Sequence, residues 1–490
     1  MATRSKKPAG PSGRGKSAAS VSPRQPAAKA EPKKKEPLVA AKAVDKLPPM
    51  AAGAPGPKIT GKIPATPQVL RGMRDILPSE QKYWRLISGK VEDLTSAYGY
   101  ERLDTPILEE TALFNRSAGK QSDVIEKEMF SFEDKGGDNV SLRPEGTAGV
   151  VRAYINHGMI NLPQPVKLHY LGPMFRYDRP QQGRYRQHHQ FGVEAFGEPG
   201  SAQDAEIILL AHLLLKELGL KSVVRVNSLG CALCRPGYLM ELTAYYRSKR
   251  SGLCEDCKRR LAKSPLRLLD CKEANCQIIK EGAPHLVDFL DDDCKNHFMR
   301  VLEHLDDLQV PYVLDPHLVR GFDYYTRTVF EITGPEETGD GGAPGLSLGG
   351  GGRYDNLIEQ LGGRQVPACG FGIGLERVIL AMKTQNIEPP ADRKPDVFLA
   401  QLGDAARRKA FNLFEEMRQS GIKAAANFSK GTLKGQLETA NRLGAAFTLI
   451  LGQQEIIDGT ILVRDMESGM QEIVDFAKAV PEMRKKLGKM

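Results

Sequence analysis

Over residues 140–197 the chain gathers its densest set of side chains able to do chemistry: Glu145, Thr147, Arg176, Gln190 and Glu194, with a basic stretch between Arg176 and Gln190. Arginines placed among polar acceptors suit an anionic ligand such as a nucleotide phosphate. Three elements must position them. Val140 and Leu142 form an apolar segment that ends at Arg143-Pro144, and Gly146-Thr147 then opens a run with helical spacing at Val150, Val151, Tyr154 and Ile155. Glu145 therefore sits at a strand-to-helix corner, where a carboxylate is either a charge favoured by the helix macrodipole or a ligand-binding group. Residues 167–176 and 189–196 predict the two strands of a hairpin, and the twelve residues between them, with three Gln, three Arg and a Gly, predict a long cationic tip. Along the return strand Gln190, Gly192 and Glu194 alternate with Phe191, Val193 and Ala195, so period two puts the polar groups on one face and the apolar groups on the other.

Later segments add to the set. Residues 326–332 are β-branched and aromatic and predict a strand, with Arg320, Asp323, Tyr324 and Tyr325 at its start. Adjacent tyrosines on a strand face opposite ways, so one is expected to pack and the other to enter a pocket. The run Gly349-Gly-Gly-Gly-Arg353-Tyr354-Asp355 brings backbone close to a neighbour and adds a further hydroxyl at Tyr354. Gly370-Phe-Gly-Ile-Gly374 opens a helix over 375–382 whose start favours anions. On that apolar helix Arg377 is costly unless paired.

Of the net charge of +9, residues 1–66 carry 14 Lys and Arg against 3 Asp and Glu, which leaves the rest at about −2. The high pI belongs to this Lys/Pro/Ala-rich segment, which lacks the apolar content to offset its ordering entropy and is expected to be a disordered tail. Its charge suits loose RNA attraction, a solvated tail or a targeting peptide, although a transit peptide is richer in Arg and less broken by proline. No apolar run approaches the roughly 20 residues that cross a bilayer, so no membrane partner is expected. A helix over 79–98 shows Trp84, Ile87, Val91, Leu94 and Tyr98 as one stripe. The strand expected over 101–108 contains Pro106, which confines it to a sheet edge or a subunit boundary. A hairpin over 128–142 delivers Glu145, a helix spans 202–218 and a buried strand 223–226. Residues 228–316 turn to charged helices and carry seven of the eight cysteines. Cys231, Cys234, Cys254 and Cys257 form two Cys-x-x-Cys pairs with 19 residues between them, a spacing that fits one four-thiolate zinc site and leaves unligated thiols open as well. Cys271, Cys276 and Cys294 are further candidates. From 395 to 490 strands and helices alternate as in a small, mainly parallel α/β domain, with a hairpin expected over 455–474.

The segments LRPEGTAG, MFRYDRPQQGRYRQHHQFGVEAFG, LVRGFDYYTRTVFE, GGRYDNLIEQLGG and GFGIGLERVIL, in this order, resemble the histidyl-tRNA synthetase family of class II aminoacyl-tRNA synthetases, over roughly 67–487. The resemblance implies an α/β (α+β) fold: an antiparallel-sheet catalytic core at 67–227 and 317–390, a helical insertion at 228–316 and an anticodon-binding domain at 395–490. It implies a cytoplasmic homodimer, with the first helix and strand at the subunit boundary. It also implies a ligase that joins L-histidine to ATP, taken with Mg²⁺, as histidyl-adenylate, and transfers the histidyl group to the terminal ribose of tRNA(His). In-line attack on the α-phosphorus needs positioning and cationic stabilisation but no protein nucleophile, which accords with a site rich in arginine. By resemblance Arg176 and Arg320 hold the α-phosphate and the substrate carboxylate, Arg320 standing where related enzymes use a metal ion, and Arg377 holds the distal phosphates. Glu145, Gly146, Thr147 and Gln190 take the amino-acid end of histidine, and Glu194 and Tyr325 the ring nitrogens, with Tyr324 and Tyr354 nearby. Arg179, Gln181, Gln182, Arg184 and Arg186 are placed to meet the tRNA acceptor end. Two rivals are a histidine-binding regulatory paralogue of ATP phosphoribosyltransferase, which loses parts of this machinery, and a non-catalytic RNA-binding protein.

Overall fold

A computed structural model describes residues 66–117, 127–179, 183–335, 345–391, 393–429 and 431–489. The expected tail lies outside them except for Thr66, as do Gln181 and Gln182 of the hairpin tip.

Helix α1 (Gln81–Ala97) buries Trp84, Ile87, Val91 and Leu94 at three- and four-residue steps, the stripe its sequence predicts, with Tyr83 beside them and Tyr98 partly buried just past its end. That stripe packs into the chain's own core and is not free for a second subunit. The strand expected over 101–108 is broken. Its ends are β1 (Glu101–Arg102), at one edge of the main sheet, and β2 (Leu108–Glu110), at the edge of a small one, because Pro106 lies between them and cannot donate to a ladder. After α2 (Thr111–Ser117), strands β3 (Phe130–Glu133) and β4 (Asn139–Leu142) complete the small sheet in the order β2-β4-β3 and lead to α3 (Thr147–Asn156).

The hairpin β5 (Val166–Phe175) and β6 (Gln187–Phe196) belongs to the main sheet and is followed by α4 (Ser201–Glu217) and β7 (Val223–Ser228). The insertion contains α5 (Cys234–Ser248), α6 (Glu255–Lys263) and α7 (Ala274–Lys280). Its last elements, α8 (Asp292–Asp307) and β8 (Tyr312–Leu314), return to the core. Phe298, Val301 and Leu305 of α8 join the same apolar cluster as α4, and β8 pairs parallel with β7. The last part of the 228–316 stretch thus packs on the core sheet. Strands β9 (Thr326–Thr333), β10 (Ser347–Arg353) and β11 (Ala368–Gly374), with α9 (Leu357–Gln360) between the last two and α10 (Leu375–Thr384) after them, close an eight-stranded sheet in the order β1-β5-β6-β11-β10-β9-β7-β8. The six central strands, β5 to β7 in that order, pair antiparallel with one another, and the edge strands β1 and β8 pair parallel with β5 and β7.

One face of this sheet is apolar. Phe191, Val193, Phe330, Ile332, Phe371 and Ile373 pack there against α1, α4 and α8, so period two turns Gln190, Gly192 and Glu194 to the other face. Arg353, fully buried, locks the same core from inside: its guanidinium holds Asp204 at 2.5 Å and Asp355 at 3.1 Å, while Asp204 also meets His297 of α8 at 2.7 Å.

The last domain has a five-stranded sheet in the order β13-β12-β14-β15-β16, from β12 (Val397–Gln401), β13 (Ala424–Ala426), β14 (Phe447–Leu451), β15 (Thr460–Asp465) and β16 (Gln471–Asp475). Its helices are α11 (Asp404–Gln419), α12 (Leu433–Leu443), α13 (Gln453–Asp458) and α14 (Ala479–Lys486). The hairpin expected from 455 starts later, because 453–458 is helical until Gly459, in the left-handed region, ends it. Among the described residues no helix is long and apolar enough to cross a membrane.

Candidate active site

The polar face of the sheet is hollowed by glycines. Gly370 of β11 pairs with Glu194 of β6, and a Cβ on Gly370 would lie 1.9 Å from the Glu194 carboxylate. Gly192 is opposite Tyr170 of β5, and its Cβ would lie 2.3 Å from the Tyr170 hydroxyl. Backbone without side chains therefore makes room for large polar groups lying flat on the sheet.

Glu194 is fully buried there. Its Oε1 accepts from the Thr147 hydroxyl at 2.7 Å and its Oε2 from the Tyr354 hydroxyl. Burial pushes its pKa up to about 8 against these two hydrogen bonds, and neighbouring Glu145 adds to the rise. Glu145 is also raised, chiefly by burial, although its oxygens accept the N–H groups of Thr147 at 2.7 Å and Ala148 at 2.8 Å. The corner carboxylate is thus a cap of α3, and each oxygen keeps a lone pair that can face a ligand.

The raised Glu194 pKa has a measurable consequence. Between the ordinary 4.5 and about 8 the folded chain holds a proton that the unfolded chain releases, so this group's contribution to stability falls as pH rises through that window. Glu194→Gln cannot ionise. Calorimetry should find it melting above the parent at about pH 9 and level with it at about pH 4; a difference independent of pH would show that Glu194 is not held protonated.

The expectation that Tyr324 and Tyr325 face opposite ways fails, because both precede β9 and neither obeys the strand period. Their rings lie 4.7 Å apart, and both make edge contacts with Tyr354, at 5.7 and 6.4 Å. All three are buried and converge on the Glu194 side of the sheet.

The cations form a second group. Arg176 donates from Nε to the Pro144 carbonyl at 2.8 Å, and its guanidinium stands 5.8 Å over Phe322. Arg377 of α10 donates to the Ser347 carbonyl at 2.7 Å; burial, then Arg184 and Arg176, push its pKa down to about 10. Burial and the charges of Arg176 and Arg377 push His188 down to about 3. Like charges crowded at low exposure raise the free energy until an anion offsets them. Arg320 bridges the two groups. Its Nη1 is 3.5 Å from Glu331, its Nε is buried without a partner, and it lies over Gly350, the cross-strand partner of the Gly372 that underlies Gln190. Gln190 Oε1 is also buried without a partner.

Residues 72–233 and 260–378 match a family model described as histidyl-tRNA synthetase, and residues 396–486 match one described as an anticodon binding domain. The chain belongs to the histidyl-tRNA synthetase family. A histidine–tRNA ligase of Dehalococcoides mccartyi is 46% identical over 418 residues, which span 85% of this chain and 99% of that one. One from Moorella thermoacetica is 47% identical over 416 residues, 85% of this chain and 97% of its own. The apo histidyl-tRNA synthetase of S. aureus has the same fold, with a TM-score of 0.72 at 38% identity, covering 86% of this chain and 100% of that structure. The family is one of aminoacyl-tRNA synthetases, ligases that use ATP with Mg²⁺. Similarity to histidine–tRNA ligases over nearly their whole length favours the ligase reading over the regulatory paralogue.

Within this histidyl-tRNA synthetase fold the candidate residues separate by location. Glu145, Gly146, Thr147, Gln190, Glu194, Tyr324, Tyr325 and Tyr354 surround the glycine-floored hollow, and Arg176, Arg320 and Arg377 flank it. Two of the hairpin arginines also contact their own loop. Arg184 turns back to Asp178 at 3.0 Å and adds to the field at Arg377, and Arg186 lies 3.6 Å over the Tyr177 ring. The two Cys-x-x-Cys pairs expected to share one site do not meet. Cys254 and Cys257 join Cys271 and Cys276, whereas Cys231 and Cys234 join Asp291 and Cys294. Tyr170 was not expected from the sequence. Its hydroxyl is buried without a partner among Glu194, Glu145 and Tyr325. Period two puts position 170 on the face of Arg176, just past the end of β5, but does not by itself single Tyr170 out.

Proposed function

We propose that the chain activates L-histidine with ATP, taken as its magnesium complex, to histidyl-adenylate and pyrophosphate, and then transfers the histidyl group to the 3′-terminal ribose of tRNA(His). One observation carries this reading: a buried carboxylate ringed by hydroxyls, Glu194 with Thr147 and Tyr354, stands beside crowded arginines that lack enough anions of their own. The carboxylate side suits an imidazole and the arginine side a triphosphate.

A histidine carboxylate oxygen attacks the α-phosphorus, and the bond to the bridging oxygen of pyrophosphate breaks. Arg320, with its unpartnered Nε–H, and Arg176 supply the cations for the charge that builds on the α-phosphate oxygens. Arg377 holds the distal phosphates that leave. Glu145, Thr147 and Gln190 fix the ammonium and carboxylate end, which sets the in-line approach. Glu194 accepts from a ring N–H, and Tyr325 meets the other ring nitrogen, with Tyr170, Tyr324 and Tyr354 closing the hollow. Such a pocket leaves buried polar groups unpaired around an apolar analogue, which gives discrimination on the order of 10⁴ to 10⁵ without editing. The ribose hydroxyl then attacks the histidyl carbonyl and AMP leaves. Arg179, Gln181, Gln182, Arg184 and Arg186 are assigned to the acceptor end of the tRNA.

The reading implies action in the cytoplasm and a homodimer. Since the α1 stripe is used within the chain, the small sheet is the better subunit surface: Leu108 and Phe132 lie on one of its faces, 46% and 48% exposed. Phe132→Glu should lower the mass found by sedimentation from two chains to one; an unchanged dimer would move the boundary elsewhere.

Pyrophosphate exchange into ATP tests the activity itself. Exchange dependent on histidine, followed by charging of tRNA(His), is the expected result. Histidine binding without exchange would favour the regulatory paralogue, and RNA retention without exchange a binding protein.

A further inference from the structure

We propose that the inserted region holds two separate zinc ions, one on the four sulfurs of Cys254, Cys257, Cys271 and Cys276, the other on Cys231, Cys234, Cys294 and the carboxylate of Asp291. In each set all four donor atoms lie within 4.8 Å of one another. Cys254 and Cys271 are 3.8 Å apart at sulfur and Cys231 and Cys234 3.6 Å. A disulfide needs about 2.05 Å, and all eight cysteines are free. Four sulfurs at about 2.3 Å from a tetrahedral zinc stand about 3.8 Å from one another. The observed spacing fits a shared metal.

The surroundings are those of ligated sulfur. Backbone N–H groups donate to Cys254 Sγ from Cys257 at 3.4 Å, to Cys276 Sγ from Cys254 at 3.4 Å, to Cys231 Sγ from Leu233 at 3.3 Å and to Cys234 Sγ from Asp291 at 3.2 Å. Such donors stabilise bound thiolates and fix their direction. Asp291 is doubly used: Oδ1 accepts the Cys294 N–H at 2.8 Å and caps α8, while Oδ2 faces Cys231 Sγ at 3.2 Å. Cys257, Cys276, Cys234 and Cys294 are all 5% exposed or less.

The local core also needs these ions. Helix α7 buries only Cys276, and α6 only Cys257 and Leu261, so apolar burial alone holds these short helices weakly. The four-sulfur site ties α6 to α7. The other ties the end of β7 to the start of α8, where the insertion leaves and rejoins the core, and the neighbouring Arg235 donates to the Tyr325 carbonyl at 2.6 Å. On binding, each thiol gives its proton to solvent and the sulfur pair goes to zinc.

The full-length chain, purified reduced and without chelator, should contain two zinc ions per chain. Zinc absorption fine structure of the parent should show mainly sulfur at about 2.3 Å with a minority of oxygen. Cys271→Ser and Cys294→Ser should each retain one ion. Fewer than two ions in the parent after incubation with zinc, a first shell of nitrogen and oxygen only, or two ions retained by both variants would overturn the proposal. The absorption measurement needs no variant, so misfolding of a mutant does not shield it.

Discussion

Glu194→Ala is expected to abolish histidine activation while ATP still binds. The native carboxylate is fully buried and accepts from two hydroxyls, Thr147 at 2.7 Å and Tyr354. Truncation removes the acceptor for the imidazole N–H and leaves both hydroxyls without their partner in a buried hollow. Unpaired buried polar groups of this kind separate cognate from non-cognate ligands by about 10⁴, so kcat/KM for histidine in pyrophosphate exchange should fall by about that factor. The arginine group lies apart from this change, and the dissociation constant of ATP should stay within about threefold. A loss in histidine kcat/KM of less than about tenfold, with the variant folded, would remove Glu194 from the pocket.

Arg320→Lys should be nearly as damaging as Arg320→Ala. The Nε–H of Arg320 is buried without a partner, and its Nη1 is held 3.5 Å from Glu331, which orients the guanidinium plane. A lysine keeps the charge but loses that second, directed donor. Removing one donor to a developing oxyanion costs about 10² to 10³ in kcat. Single-turnover adenylate formation should slow by that amount in both variants, with KM for ATP and histidine changed only a few-fold. A fall in affinity with an unchanged rate would make Arg320 a ground-state anchor instead.

These two residues differ in how far the sequence exposed them. Glu194 was legible through period two along 189–196, because β6 is regular and its apolar face is buried against α1 and α4. The hairpin, the α1 stripe and the corner at Glu145 were legible for the same reason, each being set by local periodicity or by a helix start. What depended on long-range approach was not. Tyr324 and Tyr325 share one side because the strand begins after them, and nothing local fixes that boundary. Tyr170 is brought beside Glu194 only once Gly192 is paired with it across the sheet. Arg353, between the glycine run and Tyr354, is spent on Asp204, 149 residues away in the chain, a pairing that no local signal shows. Pro106 marked an edge correctly, but the split into two sheets followed from β4 pairing with β2. The cysteines show the same limit: spacing joined Cys231 and Cys234 to Cys254 and Cys257, and folding assigned them different partners.

The central claim is that one hollow of the sheet places an imidazole at Glu194 and a nucleotide at the arginines. A crystal structure with histidinol and ATP tests it most directly. The account predicts an imidazole nitrogen in hydrogen-bond range of Glu194, the other ring nitrogen near Tyr325, and the α-phosphate between Arg176 and Arg320. Histidinol bound away from Glu194, or a triphosphate that leaves Arg320 and Arg377 untouched, would contradict it.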